Sequence, residues 1–101
     1  MNTIDYLYSK DRVLDFSSCK YLGEVHGIIK TELELPDCYG ANLDALWDAV
    51  TGLMYVPADI KIIFKPKTKA AEKLGDEIDK IVSIFFEAQE EYNQIKVTVE
   101  K

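Results

Sequence analysis

Apolar positions along this chain change period several times, and each change predicts an element. Arg12 to Phe16 (RVLDF) is short and apolar enough for a first strand. Ser17 and Ser18 can then cap a helix from about Cys19 to Leu33, where Leu22, Val25, Ile28 or Ile29 and Leu33 recur at helical spacing. Gly23 and Gly27 weaken that helix, so packing rather than propensity must hold it. Pro36 ends it, and Asp37 to Ala41 forms a loop with Gly40 as its most permissive residue. Asn42 is a good N-cap for a second helix reaching about Leu53. Leu43, Leu46, Trp47, Val50 and Met54 mark its buried stripe.

The second half repeats the alternation. Ala58 to Lys65 (ADIKIIFK) reads as a second strand, central because of its apolar run. Lys67 to Leu74 can form a short helix. Gly75 or Asp76 starts a longer one ending near Tyr92, with Ile78, Ile81, Val82, Phe85 and Ala88 or Gln89 facing inward. Gln94 to Glu100 alternates and is β-branched, a third strand. This order predicts an α/β fold: a three-stranded parallel sheet packed against about four helices. Residues 1–101 are expected to form a single domain, with 1–11 a loosely ordered N-terminal extension whose Ile4, Tyr6, Leu7 and Tyr8 could pack somewhere.

Composition narrows the function more than the fold. The chain has 18 Asp and Glu against 12 Lys and Arg, a formal net charge of −6, which argues against a nucleic-acid binder. An acidic balance favours solubility and attraction to basic proteins. The start, MNTIDYLYSKDR, lacks the basic and apolar regions of a signal peptide, and no segment approaches a membrane-spanning run. Cys19 and Cys38 are too few for a disulfide framework and wrongly spaced for zinc, so reduced thiols in the cytoplasm are expected, although a Cys19–Cys38 bridge is not excluded.

Candidate chemistry concentrates in LPDCYGANLDALWDAVTG, Leu35 to Gly52. Asp44, Asp48 and Thr51 share one helix face beside Trp47. Two carboxylates four residues apart destabilise a helix by about 0.2–0.5 kcal/mol, which gives the fold nothing. Asp44 near the helix start has a structural excuse in the helix dipole; Asp48, a turn further on, has less of one. The pair could be an acid and base or ligands for a hard cation. No nucleophile motif, phosphate-binding glycine loop or Cys–His pattern accompanies it, and no cofactor is expected. His26 reads as a packed or partly exposed helix residue, Cys38 as an incidental small residue, and Glu87, Glu90 and Glu91 as the solvated side of the long helix. Trp47, at the edge of the apolar stripe, should divide between core and contact surface.

The same segment resembles the signature of the barstar family, intracellular inhibitors of barnase-like ribonucleases. Leu35-Pro36, Tyr39-Gly40, Asn42 to Asp48 and Thr51-Gly52 match in unbroken register, with weaker matches at Val13-Leu14, His26, Glu32-Leu33, Phe85 and Glu87-Ala88. The resemblance implies a three-stranded parallel sheet with helices against it, and a non-enzymatic inhibitor that plugs a ribonuclease active site. On that reading Asp48 meets the arginines and histidine of the phosphate site, Asp44 a basic residue at the guanine edge, and Glu87 makes a peripheral acidic contact. Cys38, Tyr39, Gly40, Asn42, Leu43, Trp47, Thr51 and Leu53 would form the surrounding partner-binding surface. The implied partner is one basic, barnase-like ribonuclease, bound 1:1 in the cytoplasm without direct contact to nucleic acid or membrane. The chain departs from the family pattern at Cys38 and Leu53, where the family carries aromatic residues, and at Ala41, where it carries an acidic one. Val56-Pro57 aligns near a proline that is cis in the family. Two rivals remain open: an immunity protein of this fold against another basic toxin, and a metal-assisted hydrolase using Asp44, Asp48 and Glu87.

Overall fold

In a computed structural model of the chain, residues 10–35, 37, 39–52, 58–92 and 95–101 are described. The elements follow the order β1 (Lys10–Asp15), α1 (Leu22–Glu32), α2 (Leu43–Gly52), β2 (Ala58–Ile63), α3 (Lys69–Glu72), α4 (Gly75–Glu91) and β3 (Ile95–Glu100). The strands form one fully parallel sheet in the order β1-β2-β3, so β2 is central as its apolar run predicts. Lateral rows such as Leu14–Ile62–Val99 and Arg12–Ile60–Val97 fix the register.

That order determines where the helices lie. Both crossovers step in the same direction, and parallel crossovers are right-handed, so both helical segments fall on one face. Leu14, Ile60, Ile62 and Ile95 point into that layer and are essentially inaccessible, with Val25, Ile29, Leu46, Val50, Ile78, Ile81 and Phe85 packed over them. The opposite face carries Asp11, Val13, Asp59, Lys61, Lys96 and Thr98, all exposed. Parallel sheets are commonly covered on both sides. Here the alternation of Asp59 and Lys61 with Ile60 and Ile62 leaves one side to water. Its charges pair locally, with Lys61 Nζ 3.1 Å from Glu100. At the outer edge, Gln89 Oε1 on α4 accepts the Val97 N–H at 2.6 Å, satisfying a donor the sheet leaves unpaired.

Two expected boundaries moved for physical reasons. β1 begins at Lys10, inside the segment expected to be loose. α1 begins at Leu22 rather than Cys19, with Tyr21 as an N-cap that supplies no side-chain bond. Ser17 is not its cap. It is buried at the end of β1, where its hydroxyl accepts the Lys65 N–H at 2.8 Å and its carbonyl the Lys67 N–H at 3.0 Å. Its own N–H donates to Asp15 Oδ1 at 2.9 Å, and this bond leads the causes that hold the Asp15 carboxyl below its usual range. Cys19, expected on the helix, is a free thiol in the core, its pKa pushed up by burial. No helix among the described residues is long and apolar enough to cross a membrane.

Candidate functional site

α2 is built as anticipated from Asn42. The Asn42 Oδ1 accepts the Ala45 N–H at 2.8 Å, and its Nδ2 donates back to the Gly40 carbonyl at 3.2 Å. One residue thereby caps the helix and ties down the turn leading into it. Leu46 and Val50 are fully buried, while Leu43 and Trp47 are half-buried at the stripe's edges. Trp47 is therefore both core and surface, as its position suggested. α2 packs against α4, so the backbone beneath its outer face is held by the core.

On that outer face Asp44 and Asp48 are exposed, one turn apart. Neither carboxylate pairs with a cation among the described residues, although other acids of the chain do: Glu34 with Arg12, Asp37 with Lys30, Glu77 with Lys80 and Asp79 with Lys101. Thr51 is turned inward on its own helix, its hydroxyl donating to the Trp47 and Asp48 carbonyls at 2.8 and 3.2 Å.

The connection from α1 to α2 is fixed at both ends. α1 finishes in a Schellman arrangement: the Leu35 N–H donates to the Lys30 carbonyl at 2.9 Å and the Glu34 N–H to Thr31 at 3.3 Å. Glu34 takes the left-handed conformation where glycine is usual, at φ 54°. The Arg12 guanidinium reaches across to it, pairing with its carboxylate at 3.0 Å and donating to the Glu32 carbonyl. Further along, Lys30 Nζ lies 3.0 Å from Asp37, and Tyr39 Oη lies 2.7 Å from His26 Nδ1. Ala41 is also left-handed, at φ 51°, which costs an L-residue about 1–2 kcal/mol. Such a conformation persists only where its neighbours over-determine it. At Gly40 a Cβ would stand 3.3 Å from both the Ala45 Cβ and Asn42 Nδ2, a tight approach that the neighbours would have to yield to.

His26 is the residue whose importance the sequence hid. It lies on the inner stripe of α1 with only 4% of its surface exposed, and burial lowers its pKa. Burial also pushes the Tyr39 phenol up to about 12. Both groups are thus neutral near pH 7, which suits a hydrogen bond between rings 5.8 Å apart. A polar residue on a buried stripe requires a partner, and that was the available signal. Its identity lay in a different element.

The structure therefore brings Tyr39, Gly40, Asn42, Leu43, Asp44, Trp47, Asp48 and Thr51 into one continuous loop-and-helix unit. Glu87 is exposed on α4, the helix against which α2 packs. Cys38, Leu53, Met54 and the Val56–Pro57 bond lie outside the described residues. Among the described residues no three His, Cys, Asp or Glu side chains cluster as metal ligands. The chemistry this unit offers is an exposed pair of carboxylates one turn apart, beside a half-buried tryptophan.

Comparison with known proteins addresses what such a surface serves. Residues 10–100 match the family described as Barstar (barnase inhibitor). The chain is also similar to the protein named "Putative ribonuclease inhibitor YrdF" of Bacillus subtilis (strain 168). The two are 33% identical over 89 residues, covering 87% of this chain and 96% of that one.

Proposed function

The chain belongs to the barstar family, whose members are inhibitors rather than enzymes, and from that premise we propose that it inhibits a barnase-type, guanyl-preferring ribonuclease. On this reading Asp48 occupies the position of a substrate phosphate among the enzyme's cationic groups. Asp44 pairs with a basic residue at the guanine-recognition edge, and Glu87 makes a peripheral acidic contact. Tyr39, Gly40, Asn42, Leu43, Trp47 and Thr51 form the surrounding surface, continued by Cys38 and Leu53. The complex is 1:1 and cytoplasmic.

The observation that carries this reading is the state of Asp44 and Asp48: exposed, unpaired with any cation among the described residues, and mounted on a helix whose other face is buried. A ribonuclease that binds a polyanion must hold a cluster of positive charge in a cleft. Carboxylates fixed on a helix imitate phosphates there and offer no scissile bond. Because the helix is already ordered, little freedom is lost on binding. The net charge of −6 adds attraction at long range, which speeds encounter with a basic enzyme.

The direct test mixes the purified protein with barnase-type ribonucleases and follows RNA cleavage. Stoichiometric loss of cleavage is expected. Unaffected cleavage with excess protein, across several such enzymes, would overturn the reading. Capture of a different basic toxin would move the same surface to an immunity role.

A further inference from the structure

We infer that His26, a buried residue of α1, is a positioning residue for this binding surface, acting through Tyr39. The inference rests on the inhibitor reading, but its physical basis is the loop. His26 and Lys30 stand one turn apart on α1 and hold Asp37 and Tyr39, which are two residues apart in the connection. His26 and Lys30 share a face of α1, so both anchors run from one helix face to the same connection. They are unequal. Lys30–Asp37 lies in solvent, where an ion pair contributes little. His26–Tyr39 is short and largely shielded from water, where a hydrogen bond constrains far more.

Beyond Tyr39 the chain passes through Gly40 and the left-handed Ala41 to the Asn42 cap. The strained residue thus lies between two fixed points, His26 on one side and the helix cap on the other. Releasing the first point lets Ala41 relax toward ordinary backbone angles. The loop then samples conformations in which the start of α2, with Asp44 and Trp47, no longer forms one surface with Tyr39. A partner that binds only the ordered form sees its apparent affinity reduced by the fraction lost.

Because His26 is buried beneath the contact surface and not part of it, its loss should fall on association. His26→Leu is expected to slow association with a barnase-type ribonuclease about fivefold, leaving dissociation unchanged; Tyr39→Phe, which alters the surface itself, should slow association to the same extent whatever it does to dissociation. The double variant should be no slower than either single one. His26→Asn, whose amide can replace Nδ1, should restore the rate, and Lys30→Ala should leave it unchanged. Amide exchange across Gly40–Asp44 in the free protein should quicken in His26→Leu and Tyr39→Phe. Multiplicative effects in the double variant, unchanged association by folded His26→Leu, or a defect confined to dissociation would each overturn the positioning role. Should the wild-type protein bind no such enzyme, the inhibitor reading fails and this role with it; the exchange data then still report whether His26 orders the loop.

Discussion

α2 and α4 pack against each other and both carry mainly acidic charge, yet they use it differently. In α4, Glu77 pairs with Lys80 at 3.3 Å and Asp79 with Lys101 at 3.2 Å, while Glu87, Glu90 and Glu91 are spread along a solvated side. In α2 the two carboxylates are stacked one turn apart, with no basic residue in the helix to relieve them. They also stand beside a half-buried tryptophan and a loop held by Asn42 and His26. What separates the helices is not the number of acids. It is whether the surrounding residues disperse the charge or concentrate it on a rigid support.

The sharpest way to break that contrast is to separate the two faces of α2. Leu46→Ala should destabilise the protein by about 2–5 kcal/mol, because it opens a cavity at a fully buried position. Asp48→Ala, on the same helix, should instead stabilise it by about 0.2–0.5 kcal/mol, since a like-charge i,i+4 repulsion is removed. Urea unfolding of both variants checks this. A substantial loss of stability in Asp48→Ala would mean that the carboxylate serves the fold after all.

An effect smaller than that of Leu46→Ala is expected in the loop. Ala41→Gly relieves the left-handed backbone and should raise stability by about 1 kcal/mol, offset in part by the greater freedom of glycine when unfolded. α4 has no comparable position, because the described positive-φ residues outside glycine are Glu34 and Ala41. Destabilisation by Ala41→Gly would show that the methyl group packs rather than strains.

The pH response should be smaller still and centred on His26. Its folded pKa is lowered from 6.5 by burial, so the native state favours the neutral ring. Its contribution is complete above the unfolded value and is lost as pH falls through the folded one. Urea midpoints should therefore decline as pH is lowered from 7 toward 5, and His26→Asn should flatten the decline. Asp15 acts in a lower window: its depressed pKa contributes above the ordinary carboxylate range and is lost in stronger acid. A profile equally steep with and without the imidazole would remove His26 from the account.

These residues also show what a sequence can disclose. The α2 stripe from Leu43 to Val50, its Asn42 cap and the three strands are local patterns, complete within a few residues, and the structure reproduces them. A serine before a helical pattern ordinarily caps it, whereas the partner of Ser17 here is the amide of Lys65 in another loop. His26 is packed in its helix as its position predicts, but its partner lies 13 residues away in the chain and no local pattern reveals it. The open face of the sheet needed strand order, although the Asp59–Lys61 alternation already hinted at it. Among the candidate site residues, those carried by the cap and the helical period were legible. Those depending on what crosses between elements were not.

The central claim is that the charge on α2, and not acidity in general, does the binding. Inhibition constants of wild type, Asp48→Ala and Glu90→Ala against one barnase-type ribonuclease test it in a single series. Removing one member of a desolvated charge pair costs about 3–5 kcal/mol, so Asp48→Ala should weaken inhibition by roughly 100-fold or more. Glu90→Ala, on the solvated side of α4, should change it by less than about twofold. Equal losses from the two substitutions would contradict the account.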